Sequence, residues 1–385
     1  MNSTKRSSNN ILVFYLNSTF LSIIISLLLV TVISTAFTNK LSSEIIGTWL
    51  YKINNTNIFL SALQSQNHYM IGKGVEVDKI PIQSMIFQLA TNIKPNDVRS
   101  LLGNEIPGFY AFDYRIHIAG EGTNYTTLPH ESSPPMEVLL KEREIAHEQL
   151  EEIEEEISPP PAPEKTNEKE LVYIYQSHSW ESFLPLLKGA KTPDEATSNN
   201  SKVNVIAVGN MLKGKLLSHG IVAKHNTTNV TEQLLSRGWN YYNSYQYSRE
   251  VVEEVLSSNN ELKYLIDIHR DSVRKDKTHI KINGKDYAKL LFIVGEENKN
   301  FKENLDFASN LHYAIEEHFP GLSRGVVIKN KSEGDGIYNQ DLSDRSILLE
   351  VGGVDNTMVE LDNSVEVFAK YFSELVWEDK DVGDF

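Results

Sequence analysis

Cysteine is absent from the 385 residues. That excludes a disulfide framework, a thiolate zinc site, an iron–sulfur cluster and a cysteine nucleophile. Positive charge is scarce as well: 37 Lys and Arg face 52 Asp and Glu, a formal net charge of -15. No Lys/Arg cluster stands out, so nucleic acid is not an expected partner. Neither a Rossmann nor a P-loop glycine pattern occurs, which removes the common dinucleotide and nucleotide cradles. The chain also lacks a G-x-S-x-G elbow and any internal repeat. A metal in this protein must therefore be held by His and carboxylate side chains, with water in an open position.

Charge is missing altogether from residues 11–36, "ILVFYLNSTFLSIIISLLLVTVISTA". Roughly 20 apolar residues span a bilayer, so this run predicts a transmembrane helix. Lys5 and Arg6 precede it, which places residues 1–10 in the cytoplasm and the rest of the chain outside. A cleaved signal peptide is the rival reading, but its apolar core normally runs about 7–15 residues. Residues 40–126 read as a small extracytoplasmic region. Within it "SMIFQLATNI" and "VRSLLGNEIPGF" suggest short helices, stopped by Pro95 and Pro107. His68 and His117 stand alone and suggest no site. Residues 127–169 read as a charged, proline-bounded linker, with a helix over 136–157 and an extended "SPPPAPEK" tail. A spacer is the simplest role; a helical partner-binding segment is the alternative, which its acidity disfavours.

From residue 170 the pattern alternates. "LVYIYQSH", "IVAKHN", "LKYLIDIHRDS", "AKLLFIVG" and "SILLEVGG" read as strands. "VNVIAVGNMLKGKLLSHG", "REVVEEVLSSNN", "NLDFASNLHYAIEEHF" and "SVEVFAKYFSELVW" read as helices. Strands alternating with helices predict an α/β domain over 170–385, with a mostly parallel twisted sheet flanked by helices.

Three predicted strands share a feature at their C-terminal ends. One ends in His178 with Glu181 close behind, one in His269-Arg270-Asp271, and one in Glu350 followed by Gly352-Gly353. In a parallel sheet such ends lie on one edge, where open α/β sheets keep their ligands. Two imidazoles and two carboxylates would converge there. His₂Glu with an open water position is a catalytic zinc set, and a further carboxylate can move the water's proton. Glu350 lies in an apolar run, so burial should raise its pKa, and the glycines after it would let backbone approach a substrate. Each element has a plainer reading: a structural histidine, or a salt-bridged core acid at Glu350. The Ser272 and Asp271 beside His269 follow no recognised triad order. The tyrosine-rich stretch "NYYNSYQYSREVV" could line a groove or form half-buried surface.

"IYQSHSWESFLPLL", "SKVNV", "NSYQYSREVV", "IDIHRDS" and "LLEVGG", in this order, resemble the stage II sporulation protein P family, as does the earlier "FQLATNIKPNDVRSLLGNEIPGF". The resemblance spans nearly the whole chain. It implies a membrane-anchored cell-wall hydrolase similar to zinc-dependent N-acetylmuramoyl-L-alanine amidases, with endopeptidase activity on peptidoglycan crosslinks, acting during engulfment of the forespore. Implied partners are the stage II sporulation proteins D, a lytic transglycosylase, and M. Carried onto this chain, the zinc ligands would be His178 and His269, and the catalytic acid Glu350. Related zinc amidases place a ligand Glu just before the first helix, where this chain reads "ATSNNSKVNV" without an acid. Glu181 is the nearest substitute, with Glu195 and Asp194 next. Arg270 could bind a stem-peptide carboxylate through its fork of donors, or pair with Asp271.

Overall fold

The computed structural model describes residues 115–129, 134, 136–141, 143–146, 169–331 and 334–383. The chain divides into two compact units, residues 1–107 and 108–385, and the described residues all belong to the second. The expected membrane helix at 11–36, the short helices before Pro107 and the polyproline tail lie outside them. Among the described residues no helix is long and apolar enough to cross a membrane.

The described residues form a mixed sheet of seven strands in the order β1-β8-β7-β9-β4-β2-β3. In chain order these are β1 (Arg115–Ala119), β2 (Glu170–Tyr175), β3 (Val222–His225), β4 (Tyr264–Asp271), β7 (Leu290–Gly295), β8 (Ser323–Lys329) and β9 (Arg345–Gly353). A separate hairpin pairs β5 (His279–Ile282) with β6 (Lys285–Ala288). The main helices are α1 (Val205–Ser218), α2 (Val230–Ser236), α3 (Ser244–Ser258), α4 (Phe301–His318) and α5 (Met358–Gly383).

Period-2 alternation decides which residues meet which layer. Val172, Ile174, Ile266, Ile268, Ile347 and Leu349 point to one face, where they pack with Val208 and Leu212 of α1, Leu311 of α4 and Phe368 of α5. Tyr173, Tyr175 and Leu265 point to the other face, against Val252 of α3. The α1 start is fixed by Asn204, whose side chain accepts from the Ile206 amide, and α2 by Asn229, which accepts from Glu232.

The expectation of a mostly parallel sheet holds in one half and is corrected in the other. β3, β2, β4 and β9 run parallel. β7 is antiparallel to β9, β8 follows β7, and β1 is antiparallel to β8. β8 has no counterpart in the sequence reading, because Arg324 and Lys329 at its ends and Gly325 within it hide the apolar run. Those two charged side chains are nevertheless buried.

The domain also begins earlier than residue 170. Residues 115–119, expected in a separate N-terminal region, pair with β8 as an edge strand. Leu128, expected in the linker, is buried against Tyr245, Leu291, Val327 and Leu348. Of the predicted charged helix, the described residues Met136–Leu139 are helical, whereas Ile145 bridges to Leu187 and Arg143 reaches the Thr197 hydroxyl; residues 147–157 lie outside the described residues.

Candidate metal centre

The parallel half of the sheet brings the three predicted strand ends to one edge. Tyr175 of β2 is in register with Asp267 of β4, and His269 of β4 with Glu350 of β9. His178 stands just past the end of β2. The loop that carries it is fastened at several points: the Ser177 amide donates to Asp267 Oδ1 (2.9 Å), the Trp180 indole to Asn229, and the Ser182 amide to the Ala196 carbonyl (2.9 Å). A one-turn hydrogen bond from the Glu181 amide to the His178 carbonyl (3.1 Å) folds the acid back over the imidazole.

His178, Glu181 and His269 each offer one ligand atom within 4.8 Å of the others, and all three are buried. Glu181 bridges the rings. Its Oε1 lies 3.6 Å from His178 Nδ1 and its Oε2 3.5 Å from His269 Nδ1. A tetrahedral ion with bonds of about 2.0–2.1 Å separates its ligand atoms by roughly 3.3 Å, and each imidazole nitrogen lies near that distance from one of the two carboxylate oxygens. The donor set, two imidazoles and one carboxylate, is also one that zinc accepts. The residues present therefore fit a metal. The imidazole planes of His178 and His269 meet nearly edge-on, 5.0 Å apart.

The same contacts set the charges of the cluster when no ion is bound. Burial pulls the Glu181 pKa up, but contacts with His178, His269 and the Arg270 charge outweigh it and hold the carboxylate well below its usual range. Burial opposes charge on His269 too; Asp267, and then Glu181, overcome it and raise its pKa well above the ordinary value. Asp267 Oδ1 lies 3.1 Å from His269 Nε2, on the side of the ring away from Glu181. A carboxylate behind a metal-facing imidazole fixes its tautomer and orientation.

Glu350 behaves as its apolar surroundings predict. Burial, and then the Asp271 carboxylate, push its carboxyl up to about 8. Its Oε2 is buried and accepts no hydrogen bond. The glycines behind it act differently from expectation. Gly352 takes a φ of 68° at an irregularity between β4 and β9, and a Cβ there would meet Asn356 at 2.7 Å. A Cβ on Gly353 would meet the Val273 carbonyl at 2.4 Å. Both approach protein rather than an open cleft.

Other sequence candidates fall elsewhere. Asp194 is exposed, and Glu195 accepts from the Lys191 and Thr192 amides in a surface turn. Arg270 is 2% exposed and turned into the protein. Its Nε donates to the Ser182 carbonyl (2.8 Å), its Nη2 to the Ala196 carbonyl (2.9 Å), and its backbone amide to Glu181 Oε2 (2.9 Å). Such burial corrects the expectation that it grips a substrate carboxylate. Nor does it serve as the partner of Asp271, which accepts from Arg324 Nη1 at 2.7 Å.

Several residues of the site escaped the sequence reading. Asp267 could have been found, because it precedes His269 by two positions on one strand and so shares its face. The tyrosine-rich stretch divides: Tyr241 is half-buried and stacked on His178 at 4.5 Å, while Tyr245 is buried, 5.2 Å from His178 and 6.1 Å from His269. Ser248 and Asn339, hydrogen-bonded behind Asp267 and Ser177, carried no local signal.

A family model described as Stage II sporulation protein P (SpoIIP) matches residues 96–373. Stage II sporulation protein P of Bacillus subtilis (strain 168) is 43% identical over 326 residues, 84% of this chain and 81% of that protein. Among solved structures, N-acetylmuramoyl-L-alanine amidase from Clostridium difficile 630 aligns at 14% identity and a TM-score of 0.32, covering 56% of this chain and 98% of that one. Cwp6 from Clostridium difficile aligns at 14% identity and a TM-score of 0.30, over 55% of this chain and 29% of that one. From the family match and the extent of the Bacillus identity, this chain belongs to the stage II sporulation protein P family.

Proposed function

We propose that this protein is a zinc-dependent peptidoglycan hydrolase that cuts the amide between the N-acetylmuramoyl lactyl group and L-alanine, and also stem-peptide crosslinks. One observation carries the reading: a buried His178–Glu181–His269 cluster of metal-binding type lies beside a buried acid, Glu350, in register with one of its members.

His178, Glu181 and His269 would hold the ion. When bound, the ion supplies Lewis-acid polarisation of the scissile carbonyl, acidifies water, and by its charge favours the ionised form of a nearby carboxyl. Glu350 takes the proton of the attacking water as its oxygen bonds to the carbonyl carbon. The C–N bond then breaks with its electron pair on nitrogen, and Glu350 returns the proton to that amine. Asp267 keeps the His269 ring oriented, and Tyr241 lies flat against His178. Arg270 is a positioning residue, tying the loop of Glu181 to β4.

The family and the uncharged run at residues 11–36 support a setting for this activity. A membrane anchor there would hold the hydrolytic domain against the wall at the sporulation septum, alongside the stage II proteins D and M. The test is direct. Full-length chain should copurify with about one zinc per molecule. Mass spectrometry of digested wall should find free stem peptides that begin with alanine. Cut crosslinks with every lactyl amide intact would replace the amidase reading by an endopeptidase. Wall that binds the protein but releases nothing would defeat both.

A further inference from the structure

Behind His269 runs a chain of buried polar groups that ends on a different loop. Asn339 Nδ2 donates to Ser248 Oγ (3.1 Å), Ser248 Oγ touches Ser177 Oγ (2.7 Å), and Ser177 Oγ donates to Asp267 Oδ2 (2.6 Å). Asp267 Oδ1 faces His269 Nε2 at 3.1 Å. All five residues are buried.

Counting protons fixes the direction. A hydroxyl carries one proton. The Ser177 hydroxyl spends its proton on Asp267 Oδ2, at 2.6 Å. The short contact between the two serines then requires the Ser248 proton. Carbonyls of Ser244 (3.0 Å) and Tyr245 (3.2 Å) compete for that proton. Asn339 answers both demands: the same Nδ2 donates to the Tyr245 carbonyl (3.1 Å) as well as to Ser248 Oγ. Its amide nitrogen can only donate, so the order cannot run backwards from that end.

The backbone indicates what this arrangement costs. Tyr338 and Asn339 have φ of 55° and 57°, the left-handed region that a non-glycine residue seldom adopts. Two consecutive residues are held there, and Tyr338 packs edge-on against Tyr245 at 5.2 Å. Strain of this kind persists where the surrounding structure imposes it, and functional sites are where it gathers.

We propose that Asn339 is a positioning residue for the metal centre: its amide heads a one-way chain, Asn339 to Ser248 to Ser177 to Asp267, that holds His269 with its Nδ1 lone pair toward Glu181. The proposal rests on the metal reading above. Loss of a partner behind a metal ligand typically costs about 10–100-fold in affinity.

Asn339→Asp is the sharp test, since Asp has nearly the same shape and also tolerates the left-handed conformation. A carboxylate there accepts the Ser248 proton and deprives either Ser177 or Asp267 of a donor. Zinc affinity of the full-length chain would be measured by chelator competition, with circular dichroism melting as the check on fold. Asn339→Asp should bind zinc at least about tenfold more weakly while still unfolding cooperatively, although the buried carboxylate, now facing the Tyr245 carbonyl, lowers its melting temperature. Asn339→Gly removes the donor but adds no acceptor, so the Ser248 proton is contested by the Ser244 and Tyr245 carbonyls without being claimed outright, and its loss should be smaller, a few-fold. Equal zinc constants for wild type and Asn339→Asp would overturn the proposal, and so would equal losses in the Asp and Gly variants. Should Asn339→Asp fail to fold, Ser177→Ala removes the same donor from Asp267; wild-type zinc affinity in that variant overturns it too. A wild-type chain that takes up no zinc defeats the metal reading itself, whereas zinc binding with no response at Asn339 defeats only the chain.

Discussion

Replacing Arg324 by Met should destabilise the protein far more than an ordinary charge removal. Arg324 and Asp271 form an ion pair at 2.7 Å whose side chains are 2% and 0% exposed. A bulge around Gly325 aims the guanidinium at Asp271: φ there is 108°, and a Cβ would strike the Ile118 carbonyl. Removing Arg324 takes from the buried Asp271 carboxylate the cation it pairs with, which costs about 3–5 kcal/mol. The Thr127 carbonyl, which accepts from Arg324 Nη2, loses a donor as well. For a domain of this size each kcal/mol moves the melting temperature by roughly 2–4 °C, so Arg324→Met should lower it by about 6–20 °C. Urea unfolding should show a lower midpoint at an unchanged slope. The double variant Asp271→Leu with Arg324→Met removes both charges, and replacing a whole buried pair is often neutral. It should recover most of the loss, giving a coupling of about 2 kcal/mol or more. A single variant within about 1 kcal/mol of wild type, or a double variant whose losses simply add, would refute the reasoning.

His178→Ala and His269→Ala should each lose zinc and wall hydrolysis together, while Glu350→Gln should keep zinc and lose about 10²–10⁴-fold in turnover; zinc content and initial rates on purified wall separate the cases. A fragment of residues 168–385 should be markedly less stable than one of residues 108–385. It lacks the β1 edge strand and Leu128, whose burial alone is worth about 1.5–3 kcal/mol, and comparative urea titrations would show it. Asp341 accepts two hydrogen bonds from Arg249, at 2.7 and 2.8 Å, and that contact holds its carboxyl below the usual range. A depressed carboxylate stabilises the fold above its unfolded pKa and loses that contribution as pH falls through the folded value. Asp341→Asn should therefore cost about 1 kcal/mol at pH 7, in this partly exposed pair, and the gap from wild type should close below about pH 4. A gap that persists at pH 2 in chemical unfolding would contradict this.

Local pattern was enough where a residue's role depends on its own neighbours along the chain. "LVYIYQSH" and "LKYLIDIHRDS" announced two strands that end in histidine, and the apolar run around Glu350 announced a buried acid. Parallel order then implied convergence, and the register of His269 with Glu350 bears that out. Legibility failed where burial contradicts composition. β8 went unread because its two charged residues find partners only in three dimensions: Arg324 needs Asp271, 53 positions away, to be buried at all. Arg270 looked like a substrate clamp because its fork of donors is visible in sequence, whereas the carbonyls of Ser182 and Ala196 that occupy it are not.

The sequence by itself settled the chemistry available to this protein. With no cysteine, any metal centre had to be built of imidazole and carboxylate, and strand periodicity put those groups at strand ends. Among the carboxylates that the sequence ranked, with Glu181 first, tertiary structure decided which one lies between the two histidines. It chose Glu181 over Glu195 and Asp194, because a fastened loop folds Glu181 between both rings while a surface turn keeps Glu195 for itself. Distances between groups some ninety residues apart depend on strand order and register, and no local spacing encodes them.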